Sequence, residues 1–484
     1  MRQVATFFPS FALARRTRNI DGNRTGFTLV ELLVVVVVTL MFMLVLTEVF
    51  KLLGDGIHSG RMNIELNGQV RAATTVLQRD LDGITVSGKA WSDPQNGAGY
   101  IEYLEGLQTD KDADGDSIVD IDRWDGNSNG LWEPEAEEPY FDTRPGDNDD
   151  LIMFTARSRG APFVGTLYDG KPIESEVAEI ILWTQFTPHL DDLNLNGIYD
   201  FGETKTLYRR VLLVLPRHLD IARAGELVNV SEVSSTVSLT GSDFFNGGVG
   251  SDGALGTSDD ILGNDISARF EDGGMVANSL EDLTRRENRF ARDRSLGFPF
   301  LVLRNGLTPL TGHRQGDDVL LTRVLAFDVR VYDRFAPLMS VQDPGGDRQI
   351  IAPSDPDWIW VGEGTAAARG AYVDLYYTRD PVVSDERGFA GLPHLKSKIL
   401  NEPTYCTWSF HYEQDQQDQN QDGFIDEGTN GVDDDGFLGV DDPGERETSP
   451  PYPVDLRGLQ ISVRVYEPRS RTVRQSSVVA SFTP

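Results

Sequence analysis

Between Phe27 and Phe50 the chain is almost unbroken in apolar side chains, with the acid Glu31 near the start of the run. A helix needs about 20 such residues to cross the roughly 30 Å hydrocarbon layer of a bilayer, and this stretch is long enough. A lone segment in lipid satisfies its backbone only as a helix, so Val34 to Val38 predict a helix despite their β-branched side chains. Ahead of the run, residues 1–26 form a basic leader with Arg2, Arg15, Arg16 and Arg18 against the single acid Asp21. Positive charge stays on the cytoplasmic side, which predicts export of everything beyond Phe50.

Past the apolar run, Gly54, Gly56 and Gly60 predict a soft point, because each glycine costs a helix about 1 kcal/mol relative to alanine. Ile57, Ile64, Val70, Ala73, Leu77, Leu81 and Ile84 then recur mostly at steps of three, four and seven, with one step of six from Ile64 to Val70. That spacing predicts one apolar face of an amphipathic helix ending near Asp82-Gly83. Strands are expected over Leu151–Thr155, Val177–Phe186, Tyr208–Val214, Val319–Tyr332, Ala371–Tyr377 and Leu459–Tyr466. In the last, Leu459, Ile461, Val463 and Val465 alternate with Gln460, Ser462, Arg464 and Tyr466. One buried and one wet face mean an antiparallel sheet. No helix-period segments lie between the strands to build parallel crossovers.

The expected fold class is therefore α+β, a long amino-terminal transmembrane and amphipathic helix packed on an antiparallel β-sheet domain. Its parts are a leader over 1–26, a membrane helix over 27–50, an amphipathic helix over 51–84 and a β-rich head over 85–484. Acidic insertions interrupt the head at about 108–150, 190–204, 241–265 and 413–447.

Charge sharpens this picture. The 484 residues carry 44 Lys+Arg against 76 Asp+Glu, a net charge of −32, which would repel nucleic acid and favours bound cations or a solvated surface. Cys406 is the only cysteine, so no disulfide forms within the chain, and an exported head must be stabilised otherwise. An enzyme is not expected. The six histidines are scattered, neither a His-Glu-x-x-His nor a Gly-x-Ser-x-Gly motif occurs, and Cys406 lies in a strand-like run as an ordinary buried cysteine.

The insertions hold the candidate chemistry. From Asp192 to Glu203 the spacing is that of an EF-hand calcium loop: oxygens at Asp192, Asn194, Asn196, Asp200 and Glu203, a turn at Gly197 and the carbonyl of Ile198. Asp125, Asn127, Asn129 and Glu133 repeat the first nine positions, with Ala136 at the twelfth place between Glu135 and Glu137. Asp418, Asn420, Asp422 and Asp426 do the same, with Thr429 at the twelfth place and Glu427 nearby. Asp110 to Asp120, Asp252 to Asp260 and Asp433 to Asp442 read equally well as sites or as solvated acidic loops. Calcium is thus the expected structural cofactor. Because no loop lies between two apolar-periodic helices, it is expected to act as a staple and not as a sensor.

The stretch Gly26-Phe27-Thr28-Leu29-Val30-Glu31, followed at once by the apolar run, resembles the class III signal of type IV pilins and type II secretion pseudopilins. The resemblance implies cleavage between Gly26 and Phe27 by a prepilin peptidase, methylation of the new amino terminus, and Glu31 as fifth residue of the mature chain. A carboxylate just inside a bilayer costs about 2.5–3.5 kcal/mol, and the amine at Phe27 of a neighbouring subunit is one partner that could offset it. Glu31 reaching up to the headgroups is the plainer alternative.

Val70 to Ile84, Asp149 to Thr155, Leu320 to Asp333 and Leu456 to Phe482 are similar to the end of the long helix and to sheet strands of the J-type minor pseudopilin. This chain departs from that family in length, the excess lying in the acidic insertions. The resemblance implies a single-pass protein of the bacterial inner membrane with its carboxy-terminal domain in the periplasm. Its implied partners are the prepilin peptidase and other pseudopilins, which meet it through the amino-terminal helix near the tip of a filament that supports protein export. A minor subunit of an adhesive type IV pilus and a membrane-anchored calcium-binding ectodomain are the alternatives.

Overall fold

The computed structural model describes residues 28–105, 150–167, 172–191, 203–214, 264–271, 274–290, 292, 297–300, 307, 309–310, 314–342, 348–353, 355, 365–375, 389, 404–468 and 470–482. The chain divides into two compact units, Met1–Arg61 and Met62–Pro484.

Helix α1 runs from Leu29 to Asp82. Its first part, Leu29–Gly54, is long and apolar enough to cross a membrane, and its side chains are exposed throughout. Thr39 and Thr47 donate their hydroxyls to the carbonyls of Val35 (2.7 Å) and Met43 (2.8 Å), so neither leaves an open donor in the apolar stretch. Helical structure continues through Gly54, Gly56 and Gly60, so the expected soft point is not a break.

In the second unit the helix buries Leu66, Val70, Ala73, Leu77 and Leu81. The predicted face is corrected at its start: Ile57 and Ile64 are exposed, and Leu66 takes the inward place. Gly83 ends the helix where the chain passes close to the sheet. A Cβ there would lie 2.6 Å from the Arg157 carbonyl oxygen, and the Arg157 N–H donates to Gly83 O at 2.7 Å.

Ten strands form the main sheet: β1 Ile101–Leu104, β2 Leu151–Arg157, β3 Val177–Gln185, β4 Lys205–Val214, β5 Val319–Gln342, β6 Arg348–Ile351, β7 Thr365–Val373, β8 Thr404–Cys406, β9 Gly458–Glu467 and β10 Thr472–Ser481. Their order is β8-β1-β2-β3-β4-β5-β9-β10, and β6 and β7 also pair with β5. Every ladder is antiparallel, as the alternation predicts. Strand β5 is 24 residues long: Val324–Val331 pairs with β9, and Val331–Ser340 pairs with β7.

One face of this sheet meets α1. Ile152, Phe154, Ile180, Leu182 and Phe327 share a core with Leu77 and Leu81, each large side chain contributing about 1.5–3 kcal/mol on burial. Asp80, itself 1% exposed, accepts from Arg209 Nε (2.5 Å) and Nη2 (2.9 Å) and ties the helix to β4.

The opposite face is not wet at β2 and β3, where the simple two-face expectation fails. Leu151, Met153, Ile181 and Trp183 pack there against Leu283 and Phe290, from a segment of two short 3-10 turns. That segment also carries Arg286, Arg289 and Arg292 onto the buried carboxylate of Glu102 in β1. At β9 the expectation holds: Leu459, Ile461, Val463 and Val465 are buried and the residues between them are half-buried.

Candidate processing signal and cation-binding loops

The helix start is built by sequence-local chemistry. Thr28 precedes α1, and its N–H and hydroxyl donate to Glu31 Oε2 at 2.9 and 3.0 Å. The Glu31 N–H returns a bond to Thr28 Oγ1 at 3.2 Å. This reciprocal pair is a capping box, and it satisfies two donors that a helix start otherwise leaves open. Glu31 therefore has a partner within its own chain and stands at the mouth of the apolar segment. Gly26 and Phe27, the residues on either side of the expected cut, lie outside the described residues.

Two of the three best calcium-loop matches also fall mostly outside them: Asp125, Asn127, Asn129 and Glu133 entirely, and Asp192, Asn194, Asn196, Ile198 and Asp200 of the second. Glu203, the twelfth residue of that loop, is buried at the entrance to β4. Asp191, just before the loop, is buried as well and accepts from the Thr187 N–H (3.0 Å), Thr204 Oγ1 (3.2 Å) and Thr206 Oγ1 (2.9 Å). The loop's two ends are thus fixed side by side.

The third match is described in full, and it is half of a larger unit. Residues 415–427 and 430–442 are two loops related by a shift of 15 residues. Left-handed backbone recurs at that interval: Gln416 and Gly431 (φ 62° and 79°), Gln421 and Gly436 (61° and 70°), Gly423 and Leu438 (100° and 64°), Asp426 and Asp441 (both 53°). The hydrogen bonds recur with it. Gln416 N–H donates to Asp426 Oδ1 (3.1 Å) as Gly431 N–H does to Asp441 Oδ1 (2.9 Å). Asp422 N–H donates to Asn420 Oδ1 (2.9 Å) as Phe437 N–H does to Asp435 Oδ1 (2.7 Å).

Each loop is closed by a glutamate from the segment that follows both. Glu447 accepts from the N–H groups of Asp426 (2.6 Å) and Gln419. Glu445 accepts from those of Asp434 (2.5 Å) and Asp441, the positions fifteen residues on. The two closing acids differ in charge environment. Burial, with Glu413 and Asp426 nearby, pushes Glu447 up to about 7 against the pull of its two N–H donors. Burial also acts to raise Glu445, but the N–H groups of Asp435, Asp434, Asp442 and Asp441 outweigh it and hold the carboxyl below its ordinary range. The base of the unit is stitched by Glu413, whose carboxylate accepts from Glu447 N–H (3.0 Å) and from Thr448 N–H (3.1 Å) and Oγ1 (2.7 Å).

Sequence spacing locates Asp418, Asn420, Asp422 and Asp426 but not these closing acids. Asn420 Nδ2 donates to Glu427 Oε2 (3.0 Å), so Glu427 folds back over the loop. Cys406 is fully buried, as expected, and burial pushes its thiol up to about 11, which suits a packing role.

A helix long and apolar enough to cross a membrane, with a capped acidic start, precedes an antiparallel β head. Residues 21–47 match the family model described as the prokaryotic N-terminal methylation motif, so the chain carries the processing signal of type IV pilins and pseudopilins. No curated protein and no solved structure matches the chain.

Proposed function

We propose that the chain is a minor pseudopilin of a type II secretion apparatus, anchored in the inner membrane and then assembled near the tip of a periplasmic filament. The observation that carries this reading is the methylation motif over residues 21–47, continuous with a helix over Leu29–Gly54 that is long and apolar enough to cross a membrane. Such a rod is stable in lipid, and equally stable when bundled with rods of the same kind. Glu31 sets register there: its capping bonds hold the carboxylate at a fixed height, where the amine of a neighbouring Phe27 offsets the cost of burying it.

The head is carried on this rod and has a structural role. Calcium bound in the loops at Asp125, Asp192 and Asp418 offsets carboxylate repulsion and orders insertions that have little core of their own. Phe437 and Leu438 remain 67% and 81% exposed, so apolar burial does not hold the described insertion in place. Deleting the gene tests the role. Loss of exoprotein release with surface pili intact is the expected result. Loss of pili with normal release would make the protein a pilus subunit, and loss of neither would leave an anchored ectodomain without a filament.

A further inference from the structure

The second loop gathers Asp433, Asp435 and Glu445 so that one carboxylate oxygen of each lies within 4.8 Å of the others. In the first loop the same places are held by Asp418, Asn420 and Glu447: the first two by the 15-residue shift, and the last by the equivalent bonds to loop N–H groups. An all-oxygen set of this kind suits a hard divalent cation.

Two further oxygens point the same way. Glu447, a residue only 2% exposed, has an Oε2 with no hydrogen-bond partner, and Asp442, 9% exposed, has an Oδ2 with none. Glu447 Oε1 is held by loop N–H groups, so the open oxygen of the same carboxylate lies beside the first loop. Beside Gly444, Asp442 Oδ1 and Asp435 Oδ2 lie 2.7 and 3.4 Å from one ideal Cβ position, which places Asp442 against the second. A buried carboxylate oxygen without a donor is costly, and a cation is one group that satisfies it.

We propose that Asp415–Glu447 is a two-cation module holding one calcium-type ion in each loop, with Glu447 closing the first site and Glu445 the second. Neither acid belongs to a recognisable loop motif. They act as ligands because the chain returns past both loops, and Glu413 fixes that return at the base. The module rests on the calcium reading of the Asp418 loop and deepens it, and it does not depend on the secretion reading.

The test counts ions on the full chain in detergent, gel-filtered in millimolar calcium chloride and measured by plasma mass spectrometry. Glu445→Gln and Glu447→Gln each keep an oxygen to accept the loop N–H groups, and circular dichroism checks their fold. Each is expected to hold one calcium fewer than the wild type, and the double variant two fewer. Asp433→Asn with Asp435→Asn, at exposed positions, reads the second ion without touching a buried group. Asp418→Asn reads the first if Glu447→Gln does not fold. Calcium in the wild type that is unchanged in every variant would overturn the module and leave the loops at Asp125 and Asp192 as the sites. A wild type without calcium would overturn both readings.

Discussion

Replacing Glu102 by glutamine probes how the second face of the sheet is held. Glu102 is completely buried, and its Oε1 accepts from Arg286 Nε (3.0 Å) and Nη2 (2.7 Å) and from Arg292 Nη2 (2.5 Å). Arg289 Nη1 reaches Oε2 at 2.9 Å. Burial alone would raise this carboxyl, but Arg286, Arg292 and Arg289 outweigh it and hold the group far below the ordinary carboxylate range. Glutamine keeps the shape and removes the charge, leaving three enclosed guanidiniums around a neutral amide. Breaking a buried ion network from one side costs about 3–5 kcal/mol. The lower part of that range is expected, because Arg286 also bonds Pro299 O, and Arg289 also bonds the carbonyls of Leu283, Thr284 and Thr407.

The assay is urea unfolding of the full chain in detergent at several pH values. A depressed folded pKa stabilises above the unfolded value of about 4.3 and loses that contribution as pH falls toward the folded one. The gap between wild type and Glu102→Gln should therefore be constant at neutral pH and shrink below about pH 4. A loss under about 1 kcal/mol at pH 7, or a gap independent of pH into strong acid, would refute the network as a stabilising element.

Other outcomes follow from the same structure. Leu77→Ala empties a site in the helix–sheet core and should cost about 2–5 kcal/mol, while Ile64→Ala at an exposed position should change unfolding by less than about 0.5 kcal/mol. Equal effects of the two would contradict the inward face. Gly26→Ala should leave an unprocessed precursor on a gel, and normal maturation would contradict the signal assignment. Chelating calcium should lower the melting temperature of the chain, and Glu203→Ala should do so in part; calorimetry insensitive to calcium would remove the staple.

Much of the scaffold is readable from side-chain period alone. Val70, Ala73, Leu77 and Leu81 are inward because a helix face repeats every three to four residues, and β9 alternates because only one of its faces meets the core. The face was misread at Ile57 and Ile64, where the period continues but Leu66 is the residue that meets the core. At β2 and β3 both faces are buried because a segment far along the chain, 280–290, covers the second one; the unbroken apolar runs Leu151–Phe154 and Ile180–Trp183 signal the burial but not the segment that supplies it. The paired loops show a similar limit. Gly423-Phe424 and Gly436-Phe437 invite alignment at 13 residues, yet the backbone repeats at 15, and the glutamates that close the loops come from beyond both. Such acids are visible only once the return path of the chain is known.

Mass spectrometry of the amino-terminal peptide of the native protein, taken from membranes, bears most directly on the whole account. The peptide should begin at Phe27 and carry a methyl group on its amine. A peptide that begins at Met1, or that starts beyond the apolar run, would contradict it.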